Sequence, residues 1–298
     1  MQQQPHHHHQ IRTPTLTLYS SYDSDGINAI GDIINKTNGP TYTYNIRLDD
    51  DASADRTATF LGNTTLQLEK VCQDLSTHPI LSQAPAINAL AFSQGSQFMR
   101  AYVERCNNPP VANLVTFGGQ HNGISEFQVC KDGDWVCQAW DSTLKSNTWT
   151  EFVQSRLVPA QYFRDPEDLA SYLEHSNFLA DINNERALKN ATSKNNMKKL
   201  EKFAMFMFSN DTTVVPKESA FFYEVNLTSE EVTKLKDREM YREDWLGLRW
   251  LDEQDRLEFR IAKGGHMQFE GGLLEDTMKR YFGGKARDVP VVAPALEL

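Results

Sequence analysis

"ALAFSQGSQF", residues 89–98, sets a serine between an apolar run and the opening of a helical pattern. Upstream, "INALAF" (87–92) reads as a short buried strand; downstream, Phe98, Met99, Tyr102, Val103 and Cys106 recur on one helical stripe. Ser93 stands at the junction. Ala91-x-Ser93-x-Gly95 is the Gly-x-Ser-x-Gly pattern with alanine in its first place. In such an elbow the serine is held on a sharp strand-to-helix turn, and small residues two before and two after let the chain bend without collision. The competing reading is a helix N-cap, whose hydroxyl accepts from the N–H groups of the first turn and does no chemistry.

Outward from this junction the same alternation repeats. "TLTLYS" (15–20) reads as a first strand after a His/Gln-rich leader taken as disordered over 1–14, and Ile27, Ile30, Ile33 and Ile34 fall at helical spacing. "YTYNIRL" alternates Tyr42, Tyr44, Ile46 and Leu48 with polar residues, a second strand. Leu68, Val71, Cys72 and Leu75 lie at i, i+3, i+4 and i+7, an amphipathic helix over 65–76. "VANLVTFGG" (111–119) is the next buried strand. Helices alternating with short apolar strands predict parallel βαβ units, so the class is α/β, with a mostly parallel central sheet covered by helices on both faces.

Core sequence of this kind spans 15–123. Over 124–198 strand signals vanish and aromatics (Trp135, Trp140, Trp149, Phe152, Tyr162, Phe163, Tyr172, Phe178) scatter through helical or loop-like sequence, which predicts an inserted helical subdomain. The sheet resumes over 199–285, with strands at "KFAMFMF" (202–208) and "RLEFRIA" (256–262), where Leu257, Phe259 and Ile261 alternate with charged residues. A last helix is expected over 270–282, and 286–298 reads as an irregular tail.

Formal net charge is -10 and no basic stripe is present, so a nucleic-acid backbone would be repelled. No apolar run approaches the roughly 20 residues of a membrane span. The first ten residues lack the charged start and apolar core of a secretory leader. Five Asn-x-Ser/Thr sequons, at Asn35, Asn63, Asn190, Asn210 and Asn226, point instead towards passage through the secretory pathway. The four cysteines, Cys72, Cys106, Cys130 and Cys137, have no Cys-x-x-Cys spacing. Two disulfides are expected, and four cysteines allow three connectivities.

A nucleophilic serine needs a base and an acid, and behind this elbow the chain order is Ser, then Asp or Glu, then His. Of eight histidines only His121, His175 and His266 follow Ser93. His266 comes after a late strand through the flexible "AKGGH". His121, in "GGQHNG" with Gln120, reads better as a pocket-wall residue, and His175 lies in the insert. Asp211 directly follows the 202–208 strand, where a carboxylate could fix the tautomer of the histidine; Asp181 and Glu218 are the alternatives. The backbone N–H of Gln94 is positioned to serve as an oxyanion donor. This chemistry requires no metal or organic cofactor.

"NALAFSQGSQFMRAYVERCNNPPVANLVTFGGQHNGI", "RLVPAQYFRDP", "SNFLADINNER", "SNDTTVVP" and "GGHMQ" together resemble, in order and spacing, the lysosomal palmitoyl-protein thioesterase family over roughly residues 40 to 285. The resemblance implies an α/β-hydrolase fold with the insert forming an acyl-chain groove, and the triad Ser93, Asp211 and His266. It further implies disulfides Cys72 with Cys106 and Cys130 with Cys137, a lysosomal or vacuolar glycoprotein, and S-palmitoylated proteins or peptides as substrates. One departure stands out. Members of the family carry Trp-His-Gly-Met/Leu-Gly-Asp after the first strand, whose glycine-rich loop supplies one oxyanion N–H. Here "LTLYSSYDSDG" has none of it, which predicts an altered or incomplete amino terminus and a weakened oxyanion hole; one lost donor typically costs about 10² to 10³ in rate. The remaining alternatives are a secreted lipase or carboxylesterase acting on oxygen esters and an inactive lipid-binding relic.

Overall fold

The structure, a computed structural model, describes residues 12–18, 25–127, 147–226 and 228–283. A six-stranded sheet runs in the order β2-β1-β3-β4-β5-β8, and each neighbouring pair is parallel. Its strands are β1 (Arg12–Leu18), β2 (Thr41–Asn45), β3 (Ile87–Phe92), β4 (Val111–Phe117), β5 (Lys202–Phe208) and β8 (Leu257–Ala262). Two short strands, β6 (Glu224–Val225) and β7 (Val232–Thr233), form a separate antiparallel hairpin. The predicted leader therefore ends sooner than 14, because Arg12 already pairs with Thr41.

All six residues of β3 are buried, as a central strand covered on both faces requires. The two faces follow the period of two. Ile87, Ala89 and Ala91 of β3, with Phe203 and Met205 of β5, face one apolar cluster; Leu90, Phe92, Phe206 and Phe208 face the other. On the first face lie α3 (Thr64–Thr77) and α4 (Gln94–Arg105), and the small side chains of Ala89 and Ala91 leave room for α4. On the second lie α1 (Asp25–Asn38) and the final helix, in which Leu273–Thr277 runs on as a π-helical turn, Met278–Phe282. The sequence placed these elements within a few residues. A short helix α2 (Ala52–Ala58), capped by the Asp51 carboxylate at Ser53 and Ala54, was not anticipated.

Ile261 departs from the expected pattern. Leu257 is buried and Phe259 half-buried, but Ile261 is 66% exposed, because β8 is the edge of the sheet. Cys72 and Cys106 are joined, with Cα atoms 5.9 Å apart, tying α3 to the end of α4. Cys130, Cys137, Trp135 and Trp140 lie outside the described residues, as does the segment 19–24 where the glycine-rich loop would fall.

The described residues of the insert form five short helices: α5 (Glu151–Gln154), α6 (Val158–Gln161), α7 (Leu169–His175), α8 (Leu179–Ile182) and α9 (Ala191–Met197). Tyr162, Tyr172 and Phe178 are buried, so these aromatics bind the insert to the core, whereas Phe152 is exposed. A second irregular excursion, 209–256, carries the β6-β7 hairpin and two short helices, Glu239–Arg242 and Leu248–Glu253. Among the described residues no helix is long and apolar enough to cross a membrane.

Candidate active site

Ser93 settles the question its sequence raised. Its backbone lies at φ 48°, ψ -130°, a region a residue with a Cβ occupies only when its surroundings force it, at a cost of roughly 1–3 kcal/mol. The Ser93 N–H donates to the Phe117 carbonyl at 2.8 Å, and the Ser93 carbonyl accepts from the Ser96 N–H at 2.9 Å. Both ends of the turn are thereby pinned to β4 and α4. The side chain makes no capping hydrogen bond to the helix it precedes. Its Oγ instead lies 3.0 Å from His266 Nε2.

His266 reaches this position through the loop after β8. Gly264 at φ +101° turns the chain where a side chain would be strained, and the Gly265 N–H donates to Gln268 Oε1 at 2.8 Å. On the other edge of the ring, Nδ1 lies 2.7 Å from Asp211 Oδ2. The Asp211 carboxylate is itself fixed: Oδ1 accepts from the N–H groups of Thr213 and Val214 at 2.9 and 3.0 Å. The acid and base loops are also stitched together, with Ser209 N–H donating to Ala262 O and Asn210 N–H to Gly264 O. Carboxylate, imidazole and hydroxyl form one hydrogen-bonded line drawn from the ends of β5, β8 and β3. With Asp211 accepting from Nδ1–H, Nε2 is left as an acceptor facing the hydroxyl, the tautomer a general base needs.

Around this line the remaining candidates take different places. Gln94 opens α4, so its N–H is one of the first-turn donors that no intrahelical carbonyl serves. Its side chain reaches sideways, Nε2 donating to Thr59 O at 2.9 Å and Oε1 accepting from Tyr162 Oη at 3.4 Å. Gln120 is buried beside the serine and donates from Nε2 to Ser93 Oγ at 3.3 Å. His121 is fully buried and stacks on Phe222 with ring centroids 5.0 Å apart. It accepts from Arg100 Nε at Nδ1, which leaves its proton on Nε2 facing Thr116 Oγ1 at 3.0 Å. Burial and the neighbouring Arg100 push it well below the usual imidazole range, so it is neutral. The expectation of a pocket-wall histidine is corrected here: His121 lies behind the wall, in the core. Asp181 pairs with Arg186, and His175 is exposed beside Glu174.

An apolar cleft opens beside Gln94 and Gly95, walled by Ile46, Leu48, Phe98, Val158, Tyr162 and Phe178. Its sides come from the core and from the insert. A buried ionic network, not foreseen from sequence, holds the insert in place. Arg100, on the helix behind Ser93, donates to Glu104 at 2.6 Å, to Ile182 O at 2.9 Å and to Asn183 Oδ1 at 2.7 Å. Arg164 pairs with Glu185 and Glu224, and Arg238 with Asn122 Oδ1 and Phe222 O. Burial pushes the Glu104 carboxyl up to about 7 despite Arg100 beside it. The one signal in the sequence was a charged pair, Arg100 and Glu104, at i and i+4 within an otherwise apolar helix.

Among the described residues no cluster of His, Cys, Asp and Glu could hold a metal ion. Residues 17–266 match the family model described as palmitoyl protein thioesterase. Palmitoyl-protein thioesterase 1 of Caenorhabditis elegans is 35% identical over 243 residues, 81% of this chain and 80% of that protein. Palmitoyl-protein thioesterase 3 of Dictyostelium discoideum is 38% identical over 218 residues, 72% of each. Lysosomal thioesterase PPT2 of Mus musculus is 26% identical over 180 residues, 58% of this chain and 57% of its own. With its strand-to-helix serine, its parallel sheet and a match across most of its length, the chain belongs to the palmitoyl-protein thioesterase family.

Proposed function

We propose that this chain hydrolyses long-chain fatty acyl thioesters on protein or peptide cysteines through an acyl-serine intermediate. The observation that carries the reading is the continuous contact from Asp211 through His266 to Ser93 Oγ, at 2.7 and 3.0 Å. In the first half-reaction Ser93 Oγ attacks the thioester carbonyl while His266 Nε2 takes its proton. The tetrahedral intermediate collapses with loss of the cysteine thiol, to which the histidine returns the proton. In the second half, water gives a proton to His266 as it attacks the acyl-serine; the bond from the acyl carbon to Ser93 Oγ then breaks, Oγ takes the proton back from His266, and the fatty acid leaves. Asp211 holds the ring and stabilises the imidazolium that forms in each half. The Gln94 N–H faces the developing oxyanion. The Gln120 carboxamide, donating to Ser93 Oγ, turns the hydroxyl hydrogen towards His266 and stabilises charge arising on the oxygen.

Preference for a long acyl chain is supported by the relatives' names, and the apolar cleft marks where such a chain would begin to be buried once the site opens to it. At ~0.8 kcal/mol per methylene, a sixteen-carbon chain offers on the order of 10 kcal/mol before ordering losses. The relatives' names support the acyl-protein substrate, and the lysosomal name of the mouse relative supports a lysosomal address. Glycosylation agrees with that address: Asn35 and Asn210 are exposed, while Asn63 and Asn190 are helix caps that accept through Oδ1, leaving the amide nitrogen as the site of attachment.

The test compares turnover of an S-palmitoyl peptide with that of its oxygen-ester counterpart, together with labelling by a serine-directed fluorophosphonate. Faster thioester cleavage and labelling lost in Ser93→Ala are expected. Faster oxygen-ester cleavage would make the enzyme a lipase or carboxylesterase, and a folded protein that takes no label would be a lipid-binding relic.

A further inference from the structure

Three large apolar side chains that the fold leaves in water stand on two paired segments bordering the cleft. Phe60 is 54% exposed, Leu61 42% and Phe152 57%. They come from two segments, the turn between α2 and α3 and helix α5 of the insert, which the backbone lashes together. Val158 N–H donates to Phe60 O at 3.0 Å, Gly62 N–H donates to Arg156 O at 2.8 Å, and Leu61 bridges Leu157 in antiparallel register. The lip is thus held in one shape. Directly inward, Thr59, Thr64 and Val158 line the cleft that runs to Gln94 and Gly95 beside the nucleophile. The Arg156 guanidinium lies over the Phe152 ring, 4.4 Å from its centroid, so a cation accompanies the aromatic at the rim.

The geometry points to a lipid-bilayer interface as the partner of this lip. The inference rests on the acyl-chain reading of the cleft given above. A long acyl chain on a protein is buried in a membrane before it is cleaved, and a chain passing through water on its way to Ser93 would forfeit its burial. An apolar lip continuous with the cleft lets the chain slide from bilayer to cleft without that exposure. Aromatic and aliphatic side chains beside an arginine are the composition that settles at the headgroup boundary. With a formal net charge of -10 on the whole chain, attraction to anionic lipid is not the driving force, so insertion of the lip is.

The protein is sedimented with phosphatidylcholine vesicles, beside the triple variant Phe60→Ser, Leu61→Ser, Phe152→Ser and a control, Ile261→Ser, which removes an equally exposed apolar group from the far edge strand. Wild type and control should bind alike and be little affected by salt, whereas the triple variant should lose at least about tenfold in partitioning. Hydrolysis of soluble palmitoyl-coenzyme A should stay within about twofold of wild type in the triple variant, while hydrolysis of a palmitoyl peptide anchored in the vesicles falls with binding. Equal binding of the triple variant, or no vesicle binding by wild type, overturns the proposal. So does a wild-type dimer in sedimentation velocity that the triple variant abolishes, which would assign the lip to a second copy of the chain. Vesicle binding that survives while thioester turnover is absent would leave the lip standing and refute the acyl-thioester reading instead.

Discussion

Gly118, just past the end of β4, faces the His266 imidazole, the proposed base, and substituting alanine there tests the geometry without replacing a proposed reacting group. A Cβ at this position would lie 2.9 Å from His266 Cε1 and 3.1 Å from its Nδ1, with Phe208 Cδ2 at 3.2 Å on the other side. Carbon atoms in contact prefer about 3.5–4.0 Å, so the ring must retreat by roughly 0.6 Å or more. Phe208 blocks relief on the far side. The contact between His266 Nε2 and Ser93 Oγ, 3.0 Å in the resting protein, then leaves the range in which a proton transfers. Misplacement on the order of 1 Å costs about 10² in rate, so kcat for an acyl thioester should fall by about 30- to 100-fold while KM, set by the cleft walls that Gly118 does not line, changes little. Gly118 also lies at φ +57°, and an alanine forced there costs roughly 1–2 kcal/mol of stability, a few degrees in Tm. Gly39 provides the control, because it has φ +78° with nothing within 4 Å of its Cβ position. Gly39→Ala should lose comparable stability and keep full activity. Near-normal kcat in a folded Gly118→Ala protein would refute the placement of His266.

The remaining predictions concern stability. Glu104 and Glu258 should show opposite pH dependences. For Glu104, burial raises the folded pKa to about 7 against 4.5 unfolded, so the native state binds more protons between these values. Stability conferred by wild type over Glu104→Gln is therefore greatest below pH 4.5 and shrinks as pH rises from there through 7, as denaturant unfolding at about pH 4 and 7 would show. Burial alone would raise Glu258 too, but hydrogen bonds from Tyr281, Arg260 and Lys202 and the nearby Arg280 hold it at about 2. Its advantage over Glu258→Gln is present above pH 4.5 and is lost as pH falls from there towards 2, readable as a higher acid-unfolding midpoint in the variant. Cys72→Ser should lower unfolding free energy by about 2–4 kcal/mol with turnover per folded molecule retained, since the bond joins α3 to the end of α4 away from Ser93.

What the sequence made legible was local or ordered along the chain. The burial of β3 and the strand-to-helix elbow follow from short-range patterns, and His266 and Asp211 follow from the order in which a hydrolase of this kind brings its groups to one sheet edge. What it hid depends on distant partners. Arg100 meets Asn183 across 83 residues and Arg238 meets Asn122 across 116, and no periodicity records such pairings. His121 was misplaced for the same reason: "GGQHNG" shows a polar loop, but the rings of Phe222 and Phe203 that bury the histidine come from other parts of the chain. Ile261 sits at the apolar step of the alternation but is exposed, because pattern alone does not say where the covering layer ends.

In the proposed mechanism Ser93 becomes acylated because His266, oriented by Asp211, removes its proton. Mixing the enzyme with an S-palmitoyl peptide, quenching in acid within the first turnover and mapping the digest by mass spectrometry tests it directly. One palmitoyl group on the peptide containing Ser93, absent in Ser93→Ala and strongly diminished in Asp211→Ala, is the expected result. Product formation without any adduct on Ser93, or an adduct that forms at an undiminished rate in His266→Ala, would contradict it.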